Sequence, residues 1–389
     1  MDKYNIQTLN KISPLGTDYF DKEKYTVGDD INNPTGVLVR SASMLETEFN
    51  PEMLAIARAG AGVNNIPIDR ASEAGIAVFN TPGANANAVK ELVVLGLLMS
   101  SRKVPDALEF AKTLKGKGSE VGKLVEKGKS EFTGPEIKGK TLGIIGLGAI
   151  GALVANVAIH LGMNVIGTDP FMSVGSALRL SPHVKVTASR DDIYKEADYI
   201  SIHVPFNNDT KGFINADSIS KMKDGVRILN FARGELVNDS DIIAAIGANK
   251  VFAYVTDFPN ENTLGIPGII AIPHLGASTP ESEDNCAVMA ALELIDYIEF
   301  GNIKNSVNLP DAEMFPVGTK VCVIHKNIPA VISAITSEFA KLHLNIENML
   351  NKSKKDYAYS CFDITGGDIT DDIVDNISKI TGVIRVRVI

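Results

Sequence analysis

Short, dense apolar runs recur along this chain, and the polarity of what separates them sets the elements they predict. "GVLVRS" (36–41) reads as a buried strand, "EMLAIARAG" (52–60) as a helix, and "GIAVFNTP" (75–82) as a strand ending at a proline turn. "NAVKELVVLGLLMSSRKVPDALEFA" (87–111) is apolar around much of its surface, the pattern of a helix buried within the chain or against a second subunit. Residues 112–140 turn rich in Lys and Gly and read as an exposed connector, its lysines a solvated face or one of them turned to substrate. From 141 the runs "TLGIIG", "NVIGTD", "YISIHVP", "VRILNFA", "VFAYVTD" and "GIIAIP" alternate with helical stretches, which predicts a parallel sheet covered on both faces. The last stretch gives the order βαββαβ, a ferredoxin-like plan, with "NSVNLPDAEMFPVG" (305–318) before it as a linker.

At 389 residues the chain exceeds one ordinary core, so two or three domains are expected. Apolar residues at 45% and charged residues at 22% place it among globular proteins. With 38 basic against 47 acidic side chains the net charge is −9, which argues against a nucleic-acid partner. No secretory signal and no membrane partner are expected, because no apolar run is long enough to span a bilayer. Cys286, Cys322 and Cys361 lie far apart, which suits a reducing, cytoplasmic setting and supports neither a disulfide framework nor a metal site.

The first chemical signal is Gly146-Leu147-Gly148-Ala149-Ile150-Gly151, set between an apolar strand and a helix. The first glycine permits the turn, the second lets backbone approach a pyrophosphate, and the third allows helix and strand to pack closely. Asp169 closes the next strand, where a carboxylate accepts the ribose hydroxyls of NAD and repels the 2′-phosphate of NADP. Strand, glycine turn, helix, strand and Asp together predict a domain that binds NAD. Three later strand ends then offer Arg233, Asp257 with Glu261, and His274. A guanidinium to grip a carboxylate, an imidazole to take a hydroxyl proton and a carboxylate to orient that imidazole are the set that hydride transfer from a 2-hydroxy acid requires. Each has a bland alternative as a surface, loop or capping residue; it is their recurrence on successive strand ends that favours chemistry. His203 is expected to flank the cofactor, and His160 to pack mid-helix.

These residues lie in motifs that resemble the D-isomer-specific 2-hydroxyacid dehydrogenases: the glycine turn with its Asp, "ADYISIHVPFNNDT" (197–210), "LNFARGELV" (229–237) and "PHLGAST" (273–279). The resemblance implies an α/β fold: a Rossmann-type doubly wound cofactor domain over 89–288 and a flavodoxin-like substrate domain from 1–88 plus 289–310. It implies a catalytic trio of Arg233, Glu261 and His274. NAD contacts fall on Gly146, Gly148, Ala149, Ile150, Gly151, Asp169, Pro205, Phe231, Ala232, Asp257 and Gly276. "RAGAGVNNIPID" (58–69) is similar to the family's substrate loop, giving Gly62 and Val63. The chain departs from the family in "TDFPNEN", one residue shorter before its Glu.

"LVRSAS" (38–43) resembles the strand end at which phosphoglycerate-oxidising members carry a substrate-binding arginine, which gives Arg40 and D-3-phosphoglycerate as the expected substrate. Lys90 is a second candidate cation or simply a helix lysine. Residues 317–389 look like an ACT domain, which implies L-serine as an effector held by His325, Asn327 and Asn345; Asn327 could equally cap the helix after it. Here Ala330 replaces the family's commoner Gly. The apolar helix near 89–101 points to a homodimer or homotetramer. The rival readings are a glyoxylate- or hydroxypyruvate-type dehydrogenase, and a cofactor-binding sensor whose catalytic site is vestigial.

Overall fold

The computed structural model describes residues 3–389, which divide into two compact units: the chain up to Asn85 with Glu283–Ile389, and Ala86–Ser282. The fold is α/β, with two parallel sheets and a small antiparallel one.

The first unit begins with five parallel strands, β1 (Tyr4–Leu9), β2 (Tyr25–Gly28), β3 (Gly36–Val39), β4 (Ala55–Arg58) and β5 (Ala77–Asn80), in the order β2-β1-β3-β4-β5. β4 corrects the helix expected over 52–60. The strand is only four residues long, and its three apolar residues, Ala55, Ile56 and Ala57, are buried between β3 and β5. A run that short reads the same in a buried strand and a buried helix, and tertiary pairing decides.

The second unit carries seven parallel strands, β6 (Thr141–Ile145), β7 (Asn164–Thr168), β8 (Lys185–Val186), β9 (Tyr199–Ile202), β10 (Val226–Asn230), β11 (Val251–Thr256) and β12 (Ile269–Ala271). Their order, β12-β11-β10-β9-β6-β7-β8, reverses direction between β6 and β9. That reversal is the topological switch point at which doubly wound sheets open a crevice for ligands. Two helices matter for the site: α1 (Ala86–Arg102) and α2 (Ala149–His160). The helix expected to run through 87–111 breaks at Lys103, which turns left-handed at φ 47° ahead of Val104-Pro105 and a second helix to Thr113. Proline at the start of that helix has no N–H for a preceding turn to use, which separates the two. The connector at 112–140 is exposed as expected but contains a helix, Val121–Gly128. His160 does not pack mid-helix; it is the last residue of α2 and exposed.

The first unit resumes with α3 (Pro280–Phe300) and ends in β13 (Thr319–Lys326), α4 (Val331–Lys341), β14 (Asn345–Lys354), β15 (Tyr357–Thr365), α5 (Asp371–Ser378) and β16 (Val383–Val388), the antiparallel sheet β14-β15-β13-β16. One face of this sheet packs α4 and α5 through Ile335, Phe339, Ile373 and Ile377. The other joins the core of the parallel sheet: Cys322, Ile324, Tyr359 and Cys361 share one apolar cluster with Ile6, Phe79, Leu294 and Tyr297. The stretch 305–318 is therefore no free linker. Asn308 is buried, its side chain accepting from Val78 N at 2.9 Å and donating to Ile76 O at 2.9 Å and to Ser72 Oγ at 3.0 Å. An asparagine reads as loop in a sequence, yet here its amide supplies partners to backbone groups that burial would otherwise strand.

Candidate active site

Gly146 follows β6 with φ 98°, and a Cβ there would lie 2.6 Å from the His203 carbonyl oxygen at the end of β9. Gly151, on the first turn of α2, would carry a Cβ 1.9 Å from Gly146 O, so only glycine lets the helix start this close to the strand. Gly148 differs from both: it caps α2, and nothing lies within 4 Å of where its Cβ would be. The open space stands over the N–H groups of a helix N-terminus, where an anion is favoured. Ala149 and Ile150 form the first turn of that helix. Asp169 stands at the end of β7, its two carboxylate oxygens accepting from Leu147 N and Phe171 N, each at 2.9 Å. Backbone thus fixes the carboxylate beside the glycine turn, and it retains lone pairs for hydroxyl donors.

Across the switch point, β10, β11 and β12 deliver the other predicted groups. Arg233 has an extended backbone and is held by Asn230, whose amide donates to Arg233 O at 2.8 Å; its own Nη1 donates to Ala232 O at 2.6 Å. Phe231 is buried in the domain core, so its side chain is structural. Pro205 O accepts from Thr210 Oγ1 at 2.7 Å, which fixes the turn after β9.

Asp257 is 0% exposed; one oxygen accepts from Gly276 N at 3.0 Å, while Oδ1 has no partner. Burial pushes its pKa above the ordinary carboxylate range, opposed by the Gly276 N–H, the His274 charge and the Arg233 guanidinium. Asp257 therefore feels the charges of both Arg233 and His274. Phe258, which the sequence did not single out, packs its ring 4.6 Å from the His274 ring and 6.0 Å from the Arg233 guanidinium carbon. Aromatic packing of this kind holds an exposed imidazole in place.

Glu261 is the correction. It was expected beside His274, but it sits exposed in the loop after β11 and makes no hydrogen bond or ion pair among the described residues. The shortened loop turns on Asn260, which bonds Thr263, Asn262 and Asp239, and this carries Glu261 to the surface. The carboxylate that feels the His274 charge is Asp257. His203 is neutral, its pKa pushed down to about 4 by burial; Nε2 meets Ser201 Oγ at 2.8 Å and Nδ1 has no partner.

The domain fits a dinucleotide on these observations: open space over the capped helix, a backbone-fixed Asp169, and a buried Asp257 oxygen in need of a donor such as a carboxamide N–H. The model of the D-isomer specific 2-hydroxyacid dehydrogenase NAD binding domain matches residues 97–276. The chain carries the NAD-binding domain of this family. The NAD-binding domain sits within a wider similarity. The chain is 34% identical over 71% of its length to D-3-phosphoglycerate dehydrogenase of Archaeoglobus fulgidus, covering 52% of that protein. It is 29% identical over 84% of its length to D-3-phosphoglycerate dehydrogenase 1 of Saccharomyces cerevisiae, covering 72% of it. It thus spans about half of the archaeal relative and more of the yeast one. Among solved structures, the NAD+-bound 3-phosphoglycerate dehydrogenase of Entamoeba histolytica superposes with a TM-score of 0.61 at 25% identity, covering 79% of this chain and 99% of that one. No helix among the described residues is long and apolar enough to cross a membrane.

The remaining predicted residues, Lys90 apart, lie in the first unit. Arg40, at the end of β3, pairs with Glu283 at 2.7 Å. Gly62 and Val63 are half-buried in the loop after β4. In the second unit, Lys90 donates to Asn87 Oδ1 at 2.6 Å on its own helix. The three effector residues do not meet within one chain. His325 is 2% exposed, with Nδ1 donating to Lys326 O at 2.7 Å and Nε2 2.9 Å from Ser360 Oγ, so both ring nitrogens are already engaged. Asn327 donates to Lys355 O at 3.1 Å and does not cap α4; Ala330 holds that position, without a side-chain bond. Asn345 opens β14 opposite Thr365, whereas His325 lies opposite Ala358, which puts the two roughly 24 Å apart along β15.

Proposed function

We propose that this protein oxidises D-3-phosphoglycerate to 3-phosphohydroxypyruvate with NAD as hydride acceptor. The observation that carries the reading is Asp257: a buried carboxylate with one unpartnered oxygen, coupled to a guanidinium and an imidazole on neighbouring strand ends of an NAD-binding domain. When bound, NAD supplies a nicotinamide ring that accepts a hydride. Arg233 grips the substrate carboxylate through its planar fork and polarises the oxygen that becomes the carbonyl. His274 takes the hydroxyl proton as the C–H bond breaks. Asp257 stabilises the imidazolium that results, the role the sequence had suggested for Glu261. Arg40 is assigned to the phosphate, and its pairing with Glu283 rather than a structural carbonyl supports a guanidinium that can exchange partners. Leu95 and Leu98, exposed on α1, support a homo-oligomer.

The test is NADH formation from D-3-phosphoglycerate at alkaline pH, run beside D-lactate and D-glycerate, each with and without L-serine. Turnover of the phosphorylated acid, lost in Arg40→Ala while residual unphosphorylated turnover is not, supports the reading. Turnover of unphosphorylated acids alone overturns the substrate, and none at all overturns the activity. Feedback by L-serine belongs to the same proposal; its support is the βαββαβ plan of the C-terminal sheet. Unchanged rates with L-serine overturn it.

A further inference from the structure

Cys322 and Cys361 stand directly opposite each other in the antiparallel pair β13–β15, and the next residue across the same row is Arg387 on β16. Both thiols are buried, with their sulfurs 3.9 Å apart. Opposed residues in an antiparallel pair have Cα atoms roughly 4.5–5.5 Å apart, inside the roughly 4.4–6.8 Å that a disulfide spans. Side-chain rotation can therefore close the gap to an S–S bond of about 2.05 Å with the strands left in place.

A buried cysteine by itself is only a small apolar side chain. What distinguishes this pair is the charge beside it. Arg387 donates to Tyr297 O at 3.0 Å and to Ile298 O at 2.7 Å. Lys320, on the same face of β13 as Cys322, donates to Phe300 O at 2.6 Å, Asn302 Oδ1 at 2.8 Å and Met314 O at 2.9 Å. Neither cation forms an ion pair among the described residues. Carbonyl oxygens meet their N–H groups but leave both positive charges uncompensated, and a thiolate between them would offset that cost. The Cys361 S–H holds the Cys322 thiol below its ordinary pKa against the effect of burial, with Tyr359, Lys320 and Arg387 adding to the fall. The same hydrogen bond and burial push the Cys361 thiol up. One sulfur is thus the nucleophile and the other keeps its proton, the division of labour that a stepwise oxidation uses.

We propose that Cys322 and Cys361 form a redox-active pair, closed to a disulfide by a hydroperoxide and reopened by a dithiol. With hydrogen peroxide, the Cys322 thiolate attacks one peroxide oxygen, the O–O bond breaks, and hydroxide leaves behind a sulfenic acid on Cys322. The Cys361 sulfur then attacks the Cys322 sulfur. The S–S bond forms, the S–O bond breaks, and the Cys361 proton departs with that oxygen as water. The sulfurs together lose two electrons, which the peroxide oxygens take up, and thiol–disulfide exchange with an external dithiol returns them. Closing the bond removes the negative charge that faces Arg387 and Lys320. That loss favours the reduced form and makes the disulfide easy to reopen, as in a regulatory bond rather than a structural one.

The experiment exposes the reduced full chain to hydrogen peroxide under native conditions, then alkylates it in denaturant and reads intact mass and linked peptides. Of the three thiols, Cys286 alone should still accept the alkylating agent, and one linked peptide pair should join Cys322 to Cys361 within a single chain. Dithiothreitol should restore all three. Arg387, Lys320, Tyr359 and Cys361 face the Cys322 sulfur, with the Tyr297 ring against Arg387, so the rate should rise with pH through a midpoint below about 8.5, the ordinary thiol value. In Cys361→Ala the sulfenic acid has no thiol to condense with, and dimedone should trap it on Cys322. Thermal melts establish that the variant is folded; if it is not, the wild-type peptide map decides the matter. A Cys322–Cys361 link that forms only in denaturant, a link through Cys286, or oxidation of Cys322 to the sulfinic acid without a link overturns the proposal. A midpoint at or above the ordinary thiol value overturns the role of the two cations. The readout is mass, so a failure of the proposed turnover leaves this test standing.

Discussion

Buried polar groups at the strand ends of the seven-stranded sheet and in the C-terminal sheet are treated in opposite ways. In the former, Asp257 Oδ1 and His203 Nδ1 have no partner. In the latter, buried His325, Ser360 and Asp363 are satisfied by one another, by Asn348 and Asn351, and by backbone. An unpaired buried polar atom costs on the order of 1–3 kcal/mol, and it persists where a ligand supplies the missing bond. A closed network has the same residue types and needs nothing from outside. Residue type therefore cannot distinguish a site from a strut; the hydrogen-bond account can.

The sharpest way to break this contrast is to remove one histidine from each region. His274→Ala should lower kcat by roughly 10²–10⁴-fold, the range for a lost general base, with the melting temperature unchanged. His325→Ala should do the reverse, leaving kcat in place while removing about 1–3 kcal/mol of stability by stranding Ser360 and Lys326 O. Steady-state kinetics and thermal melts on both variants decide it. A stability loss in the first or a kinetic loss in the second would abolish the distinction.

Two glycines sharpen it next. Gly151→Ala places a methyl 1.9 Å from Gly146 O and should cost about 3 kcal/mol as backbone shifts to admit it. Gly148→Ala meets no atom, so the melting temperature should hold while NAD affinity falls, since the methyl enters space reserved for the pyrophosphate. NADH fluorescence titration beside a melt separates the two. Equal effects on both readouts would mean that the turn is only a packing device.

How much of this the sequence disclosed follows the same line. The glycine turn, Asp169, Arg233 and His274 were legible because each has a fixed place relative to a strand end, and strand ends show as the close of an apolar run. β4 was not, since its four residues carry no periodicity that separates strand from helix. Nor was the role of 305–318, because Asn308 acts through three partners contributed by residues 72–78. Phe258 was missed although it directly follows Asp257; an aromatic there was signal enough to ask what it stacks on. Cys322 and Cys361, 39 positions apart, face each other across β13 and β15 with their sulfurs 3.9 Å apart. Glu261 was misplaced because one deleted residue changes where a loop points, and the alphabet does not record direction.

Glu293 offers a test of whether a missing partner matters where no ligand is assigned. It is buried on α3, accepts from Asn305 Nδ2 at 2.8 Å, and leaves Oε2 unpartnered. Burial pushes its pKa up to about 8 from 4.5. A carboxyl whose folded pKa is raised contributes stability below its unfolded value, and that contribution drains away as pH rises towards the folded one. Melts of the wild type should fall by several degrees between about pH 5 and pH 8, and Glu293→Gln should flatten that fall. A parallel pH dependence in the variant would assign the loss to another group.

The smallest effect lies at Ala330, which sits at φ 71° just before α4. An L-residue in the left-handed region costs roughly 1–2 kcal/mol through its Cβ, whereas glycine enters it freely. Ala330→Gly removes that strain but gives the unfolded chain more freedom, which offsets about 0.4–1 kcal/mol. The net gain should be about 0.5–1 kcal/mol, read as a rise in denaturant midpoint with an unchanged slope. No hydrogen bond changes, because the Ala330 side chain makes none. The C-terminal sheet should therefore become more stable without any change in kcat, as a strut would and a site would not. A variant that melts higher but turns over differently would place Ala330 within reach of the chemistry, and the closed network would no longer be only architecture.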